Sequence, residues 1–162
     1  MEVNTVILII GILAVISYDF TNGFHDAADM IATSIASMSM TPKAAIVIVT
    51  IFTFVGPFLG GIAVADTIGE FIKIKYVPAY LAQGVTISAI LTAVTFNLIT
   101  WKLGLPSSSS NSLTSGLVGA GLYALGNSHV NWGIIALVNG KLEGFIKIII
   151  GMLFSPLAGF IV

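Results

Sequence analysis

The chain has 162 residues, a formal net charge of −1 and a hydrophobic fraction of 57%, and only 8% of its residues are charged. A soluble domain carries about 25% charged residues, so this chain has too few to cover a water-facing surface, and it lacks the basic face of a nucleic-acid-binding protein. Soluble enzymes, disordered regions and nucleic-acid binders are therefore excluded, and the composition indicates an integral membrane protein.

Five uncharged stretches predict the membrane-spanning helices. They are residues 3–18, 44–65, 76–101, the stretch between Lys102 and Lys141, and residues 148–162. Residues 44–65 would form a helix about 33 Å long, which matches a hydrocarbon core of about 30 Å. Residues 148–162 are short unless the helix extends back over Lys147, whose side chain can snorkel. We expect helices because a lipid-exposed open sheet would leave backbone groups unpaired.

Two segments do not fit simple lipid-facing spans. Residues 19–39 contain three carboxylates, and residues 106–125 begin with a proline and a block of serines. Half-helices or re-entrant hairpins that line a protected cavity fit both segments, with a break or kink at Asn22-Gly23. Residues 66–75 form a charged connector. The sequence thus predicts a single all-α membrane domain over residues 1–162, with five to six spans that include broken or re-entrant half-helices.

The acidic segment predicts a cation site. Asp19, Asn22, Asp26 and Asp29 are spaced three, four and three residues apart, which places them on one face of a helix. Carboxylates this close require a counter-cation or protonation. Their hard oxygen atoms suit a hard cation, either Na⁺ or, by general analogy, Mg²⁺ or Ca²⁺. A proton is the other candidate, with His25 as a possible relay. In the competing interpretation, Asp19 and Asp29 lie near the membrane surfaces and are solvated.

The serine block that follows Pro106 predicts an anion site. Free N–H groups at a helix start, the positive end of the helix dipole and several hydroxyl groups together bind an anion without Lys or Arg. A tetrahedral oxyanion such as phosphate or sulfate accepts many hydrogen bonds at once. The alternative is a serine-rich loop outside the membrane, but the apolar flanks favour the anion site. The candidate ligands are Ser107, Ser108, Ser109, Ser110 and Asn111.

The two blocks resemble the PiT family of inorganic phosphate transporters, which are ion-coupled symporters. The family's motif N-G-F-H-D-x-A-N is similar to residues 22–28, and its motif of Gly, a hydrophobic residue, Pro, four Ser or Thr residues and His is similar to residues 104–110. Trp132 and Ser155-Pro156-Leu157 also resemble family landmarks. The resemblance implies a multi-pass transporter of the cell membrane, without catalytic residues and with no cofactor beyond a coupling ion, Na⁺ or H⁺.

The chain departs from the family pattern in three ways. Asp29 stands where the family usually has Asn, which adds a carboxylate. Asn111 stands where it usually has His, which removes a titratable group. Family members generally carry two inverted copies of this unit, whereas this chain shows one, so the resemblance implies half a transporter. The second half would be a second copy of the chain or a separate homologous half; a truncated remnant is the remaining possibility.

The resulting hypothesis is ion-coupled transport of inorganic phosphate. Asn22, Asp26 and Asp29, with His25 beside them, would bind the coupling cation, and residues 107–111 would bind phosphate. This requires the acidic and serine blocks to meet inside the bilayer. The alternatives are a half-transporter for sulfate or another oxyanion, and a non-transporting membrane subunit.

Overall fold

The computed structural model describes residues 3–60, 70–73 and 77–161. The α-helices in these ranges are α1 (Val3–Ala36), α2 (Pro42–Gly60), α3 (Ala79–Leu103), α4 (Ser109–Leu125), α5 (Ile134–Val138) and α6 (Gly144–Ile161). Four of them, α1, α2, α3 and α6, are long and apolar enough to cross a membrane, judged by length and composition. The predicted all-α membrane fold is confirmed, and α4, with 17 residues, is the next helix in length.

The helix bounds agree with most of the predicted spans. Helix α2 begins two residues before the predicted span 44–65, whose last five residues lie outside the described ranges. Helix α6 extends back over Lys147 to Gly144, as span length requires. The polar segment near His129 is a 3₁₀ turn, Asn127–His129. Of the predicted connector 66–75, the structure describes only residues 70–73.

The acidic segment is not a half-helix, and this prediction was wrong. Helix α1 runs without interruption for 34 residues, through Asn22 and Gly23 to Ala36. A glycine in a helix interior costs only about 1 kcal/mol relative to alanine, which packing against a neighbouring helix offsets. Helix α3 provides that packing: the rings of Phe24 and Trp101 lie 5.3 Å apart in an edge-to-face contact.

Helices α3 and α4 form a hairpin. The hairpin turns at Gly104, which adopts a left-handed conformation with φ of 65° and donates its N–H to the carbonyls of Thr100 and Trp101. Helix α4 then begins at Ser109 with Ser108 as its N-cap, so Pro106 lies before the helix rather than in its first turn. At 17 residues, α4 is about 25 Å long, which suits the half-helix predicted for residues 106–125.

The hairpin tip lies at an inner level of the bundle. Helices α1 and α3 run parallel, since Gly11 lies opposite Ile87 and His25 lies opposite Thr100. Helix α1 continues from Asp26 to Ala36, which is about 15 Å along the helix. The turn between α1 and α2 therefore extends well beyond the hairpin tip, and the residues at the tip lie beside the middle of the α1–α2 pair.

Small residues allow α3 and α4 to pack closely. A Cβ atom added at Gly116 would lie 2.9 Å from the carbonyl oxygen and 3.2 Å from the Cα of Ala89. In a bilayer, close van der Waals contact of this kind stabilises helix association, because lipid offers no hydrophobic driving force between helices. Gly116 is thus required for the observed spacing of the hairpin.

A substitution at this contact tests the packing. We expect Gly116→Ala to lower the stability of the chain by about 1–3 kcal/mol, since the new methyl group meets backbone atoms that can move only if the helices separate. The measurement is thermal unfolding of the detergent-purified chain, followed by tryptophan fluorescence. Gly119→Ala is the matched control on the same helix, because a Cβ there meets nothing within 4 Å. Equal unfolding temperatures for the two variants would contradict the packing argument.

Candidate functional site

Buried polar side chains gather where α1, α3 and α4 meet. They are Thr21 and His25 on α1, Asn97 and Thr100 on α3, and Ser109 on α4. We refer to these five residues, together with Asp26, as the polar junction. Polar groups withdrawn from water are costly unless they are paired, and polar residues inside a membrane bundle indicate a functional site.

A hydrogen bond joins the two predicted blocks. The Ser109 hydroxyl, which is 1% exposed, donates to Asp26 Oδ1 at 2.8 Å. Hydrogen bonds to a carboxylate are stronger than those between neutral groups. The contact links α1 to the first residue of α4, so the acidic segment and the serine block meet inside the bundle.

Thr100 lies at the centre of a group of hydrogen-bonding atoms that includes His25. Its Oγ1 lies 3.0 and 3.1 Å from the carbonyl oxygens of Phe96 and Asn97, 3.0 Å from Ser107 Oγ and 3.3 Å from His25 Nε2. Carbonyl oxygens only accept, and a hydroxyl has one proton. When that proton goes to its own helix, Thr100 accepts hydrogen bonds from the Ser107 hydroxyl and, in the tautomer with the proton on Nε2, from His25 Nε2–H.

This arrangement directs the other ring nitrogen of His25 toward Asp26. With the proton of a neutral imidazole on Nε2, Nδ1 carries a lone pair. Nδ1 lies 3.5 Å from Asp26 Oδ1, and this contact lacks the geometry of a hydrogen bond, so Nδ1 has no hydrogen-bond partner among the described residues. Two electron-pair donors that face each other at this distance favour a positive species, either a proton or a metal ion.

The candidate cation ligands converge on one face of α1. One ligand atom each of His25, Asp26 and Asp29 lies within 4.8 Å of the others, and these residues are buried, half-buried and exposed, respectively. Asn22 is half-buried on the same helix, one turn before Asp26. Asp19 is exposed and belongs to a turn farther from the junction. Four oxygen- or nitrogen-bearing side chains could therefore hold a cation beside Ser109.

The candidate anion ligands divide between two locations. Ser107, Ser108 and Asn111 line an open groove of about 950 Å³ between α3 and α4. Ser109 is buried, is absent from the described groove lining and donates a hydrogen bond to Asp26. Ser110 is exposed and is absent from the groove lining among the described residues. The five residues thus surround the start of α4 rather than a single point.

The start of α4 has the features of an anion-binding helix terminus. Ser108 is extended, with φ of −106°, and its side chain accepts a hydrogen bond from the Asn111 N–H at 3.4 Å. The first N–H groups of a helix have no partner within the helix, and the helix dipole adds a partial positive charge there. No Lys lines the described groove, so this terminus supplies its positive potential.

Sequence reasoning missed Thr21, Asn97 and Thr100. Asn97 and Thr100 are spaced three residues apart within the otherwise uncharged helix α3, which places them on one helix face. Their polarity in a membrane span was the available signal. It was weaker than that of the acidic and serine blocks because Asn and Thr carry no charge and are common in helices.

Comparisons with known proteins identify the family. Residues 22–162 match the phosphate transporter family, a range that contains Asp26, Asp29, the serine block and the hairpin. The chain is similar to a solved structure, "The sodium-dependent phosphate transporter", with a TM-score of 0.71 and 30% identity over 83% of this chain and 34% of that chain. The resemblance drawn from the two motifs is confirmed.

Curated relatives give the same result. The chain is 42% identical to a probable low-affinity inorganic phosphate transporter of Streptomyces halstedii, over 98% of this chain and 68% of the relative. It is 36% identical to proteins of the same description from Bacillus subtilis and Mycobacterium leprae, over 99% and 93% of this chain. It spans 45% and 36% of the lengths of these two relatives. The relatives are named as transporters and not as enzymes. With four helices of membrane-crossing length and composition, this chain is a multi-pass cell-membrane protein that belongs to the phosphate transporter family.

Proposed function

We propose that the chain provides one half of the binding site of a transporter that moves inorganic phosphate across the cell membrane together with Na⁺. The hydrogen bond between Ser109 and Asp26 is the observation that carries the proposal. It joins the start of α4, whose N–H groups would bind the anion, to Asp26, which would bind the cation. Both ligands would therefore bind within a few ångströms of one contact.

The donor set favours Na⁺ over a proton. His25, Asp26 and Asp29 bring their ligand atoms within 4.8 Å of one another, with Asn22 one turn away on α1. A metal ion uses several hard donors at once, whereas a proton needs one acceptor. The structurally similar protein is named as sodium-dependent, which supports the same coupling ion for this chain.

Coupling follows from the charges around the junction. Phosphate would enter next to Asp26, and two negative groups in contact repel each other. A cation bound to Asp26 removes this repulsion and, with the dipole of α4, supplies the positive charge that the described groove lacks in side chains. Each ligand thus raises the affinity for the other by the same factor, as linkage requires.

The proposed site needs a second unit to close it. The groove is open, and two of the candidate ligands, Asp29 and Ser110, are exposed. The chain spans less than half the length of two of the similar transporters, and transporter sites commonly lie between two repeats. We propose that a second copy or a separate homologous half covers this face. Light scattering of the detergent-solubilised complex measures how many subunits it contains and so tests this proposal. A monomer that binds phosphate as tightly as the assembled complex would refute it.

A charge-neutralising variant tests the coupling. We expect Asp26→Asn to weaken sodium-dependent phosphate binding by roughly tenfold or more, because the bound Na⁺ loses a charged ligand, and loss of even a supporting group lowers metal affinity about 10–100-fold. The measurement is equilibrium binding of radiolabelled phosphate to the purified chain, in sodium chloride and in choline chloride.

The control is Asp19→Asn, which makes the same change at an exposed position of α1 and should leave binding unaltered. Phosphate binding that is indifferent to both Na⁺ and Asp26→Asn would overturn the mechanism. A wild-type chain that binds no phosphate in either salt would favour the non-transporting subunit.

Serine substitutions test the anion half. Replacing Ser107 and Ser108 by alanine together should weaken phosphate binding several-fold, since each neutral hydrogen bond contributes about 0.5–1.5 kcal/mol. Ser17→Ala is the control, because that hydroxyl is exposed and donates to the Leu13 carbonyl of its own helix. Unlabelled sulfate is added as a competitor. If sulfate displaces labelled phosphate at the same concentrations as unlabelled phosphate does, the site binds oxyanions in general. If the double variant binds phosphate as tightly as the wild type, the groove is excluded as the phosphate site.

A further inference from the structure

We propose that Asn97 is the ligand that α3 contributes to the cation site, with its amide oxygen coordinating the same Na⁺ as Asp26. The inference rests on the proposed function, because it concerns the ion of that site. It assigns a role to a residue that neither motif contains.

The amide group of Asn97 is buried without hydrogen-bond partners among the described residues. The residue is 0% exposed, and neither its Oδ1 nor its Nδ2 has a hydrogen-bond partner among the described residues. A fully buried polar group that is left unpaired is destabilising. Thr100, one turn later, has partners on three sides. The other buried polar atom without a partner among the described residues is His25 Nδ1, which belongs to the same junction.

Two helix registers place Asn97 at the polar junction. In the parallel pair α1–α3, His25 lies opposite Thr100, so Asn97, three residues before Thr100, is level with Asn22, three residues before His25. In the antiparallel hairpin, Ala89 faces Gly116, which makes Asn97 level with Ser108. The side chain of Asn97 is therefore enclosed where the cation face of α1 and the start of α4 meet.

The amide has the chemistry that this location requires. Its oxygen is a hard, neutral donor, and rotation of the amide by 180° presents the oxygen in either direction. Hard cations are bound by carboxylate and amide oxygens together. A neutral ligand adds coordination without adding to the repulsion between Asp26 and Asp29. A proton binds to a single acceptor and does not require a neutral amide ligand. A role of Asn97 in cation binding would therefore indicate a sodium site rather than a protonation site.

The test separates a ligand from a structural amide. The full chain is purified, and its unfolding temperature is measured as a function of Na⁺ concentration, with choline keeping the ionic strength constant and phosphate absent. For Asn97→Leu we expect the Na⁺ concentration at half-maximal stabilisation to rise roughly tenfold or more, the range seen when a metal site loses a supporting group. In choline alone, the unfolding temperature should stay the same or rise, because an unpaired buried amide has been replaced by an apolar group.

Two further variants complete the design. Thr95→Val, at an exposed position of α3 whose hydroxyl donates to the Leu91 carbonyl, is the control and should leave the Na⁺ response unaltered. Asn97→Asp keeps an oxygen at the same place and adds a charge, so its Na⁺ midpoint at alkaline pH should fall below that of the wild type. This variant decides the question if Asn97→Leu does not fold.

Each contrary result has a distinct meaning. If Asn97→Leu unfolds at a lower temperature in choline but keeps the wild-type Na⁺ midpoint, the amide is structural and the inference fails while the proposed function stands. The inference also fails if Asn97→Asp reaches half-maximal stabilisation at the same Na⁺ concentration as the wild type. If the wild-type chain shows no stabilisation by Na⁺, the sodium site of the proposed function fails, and the role of Asn97 fails with it.

Discussion

A carboxylate inside a membrane bundle must be satisfied by the protein itself, and this constraint organises the whole structure. The Ser109 hydroxyl donates a hydrogen bond to Asp26 at 2.8 Å, whereas His25 Nδ1, at 3.5 Å, makes none. For Ser109 to reach Asp26, the chain must turn at Gly104 and begin α4 beside Asp26, ten residues before the end of α1 at Ala36. The position of the hairpin, the close contact of Gly116 with Ala89 and the burial of Thr100 all follow from holding these groups together.

Each of the three helices contributes a different kind of chemical group to the polar junction. Helix α1 carries the acidic side chains, and α4 carries the N–H groups and hydroxyls that suit an anion. Helix α3 packs between them, and Thr100 Oγ1 lies within hydrogen-bond distance of His25 on α1 and of Ser107 in the hairpin turn. A single polar group on α3 therefore contacts both the acidic segment and the serine block.

The sequence predicted the membrane class, most helix bounds and both polar blocks, because charge depletion and clustered polar residues are local signals. It failed at residues 19–39, where an Asn-Gly pair suggested a break. Tertiary packing against α3 overrides that local preference, as the contact between Phe24 and Trp101 shows. The division of the serine block was equally hidden, since the direction of each hydroxyl depends on where α4 begins relative to α1. The ligand roles themselves remain predictions.

The tight seam between Ala89 and Gly116 has a mechanical consequence. Because the backbones of α3 and α4 are in direct contact there, neither helix can slide along the other without losing this contact. We therefore expect the hairpin to move as one rigid body. The groups suited to the anion belong to this hairpin, whereas the acidic groups belong to α1. Any movement of the hairpin tip away from α1 would therefore tilt both helices together and lengthen the hydrogen bond between Ser109 and Asp26.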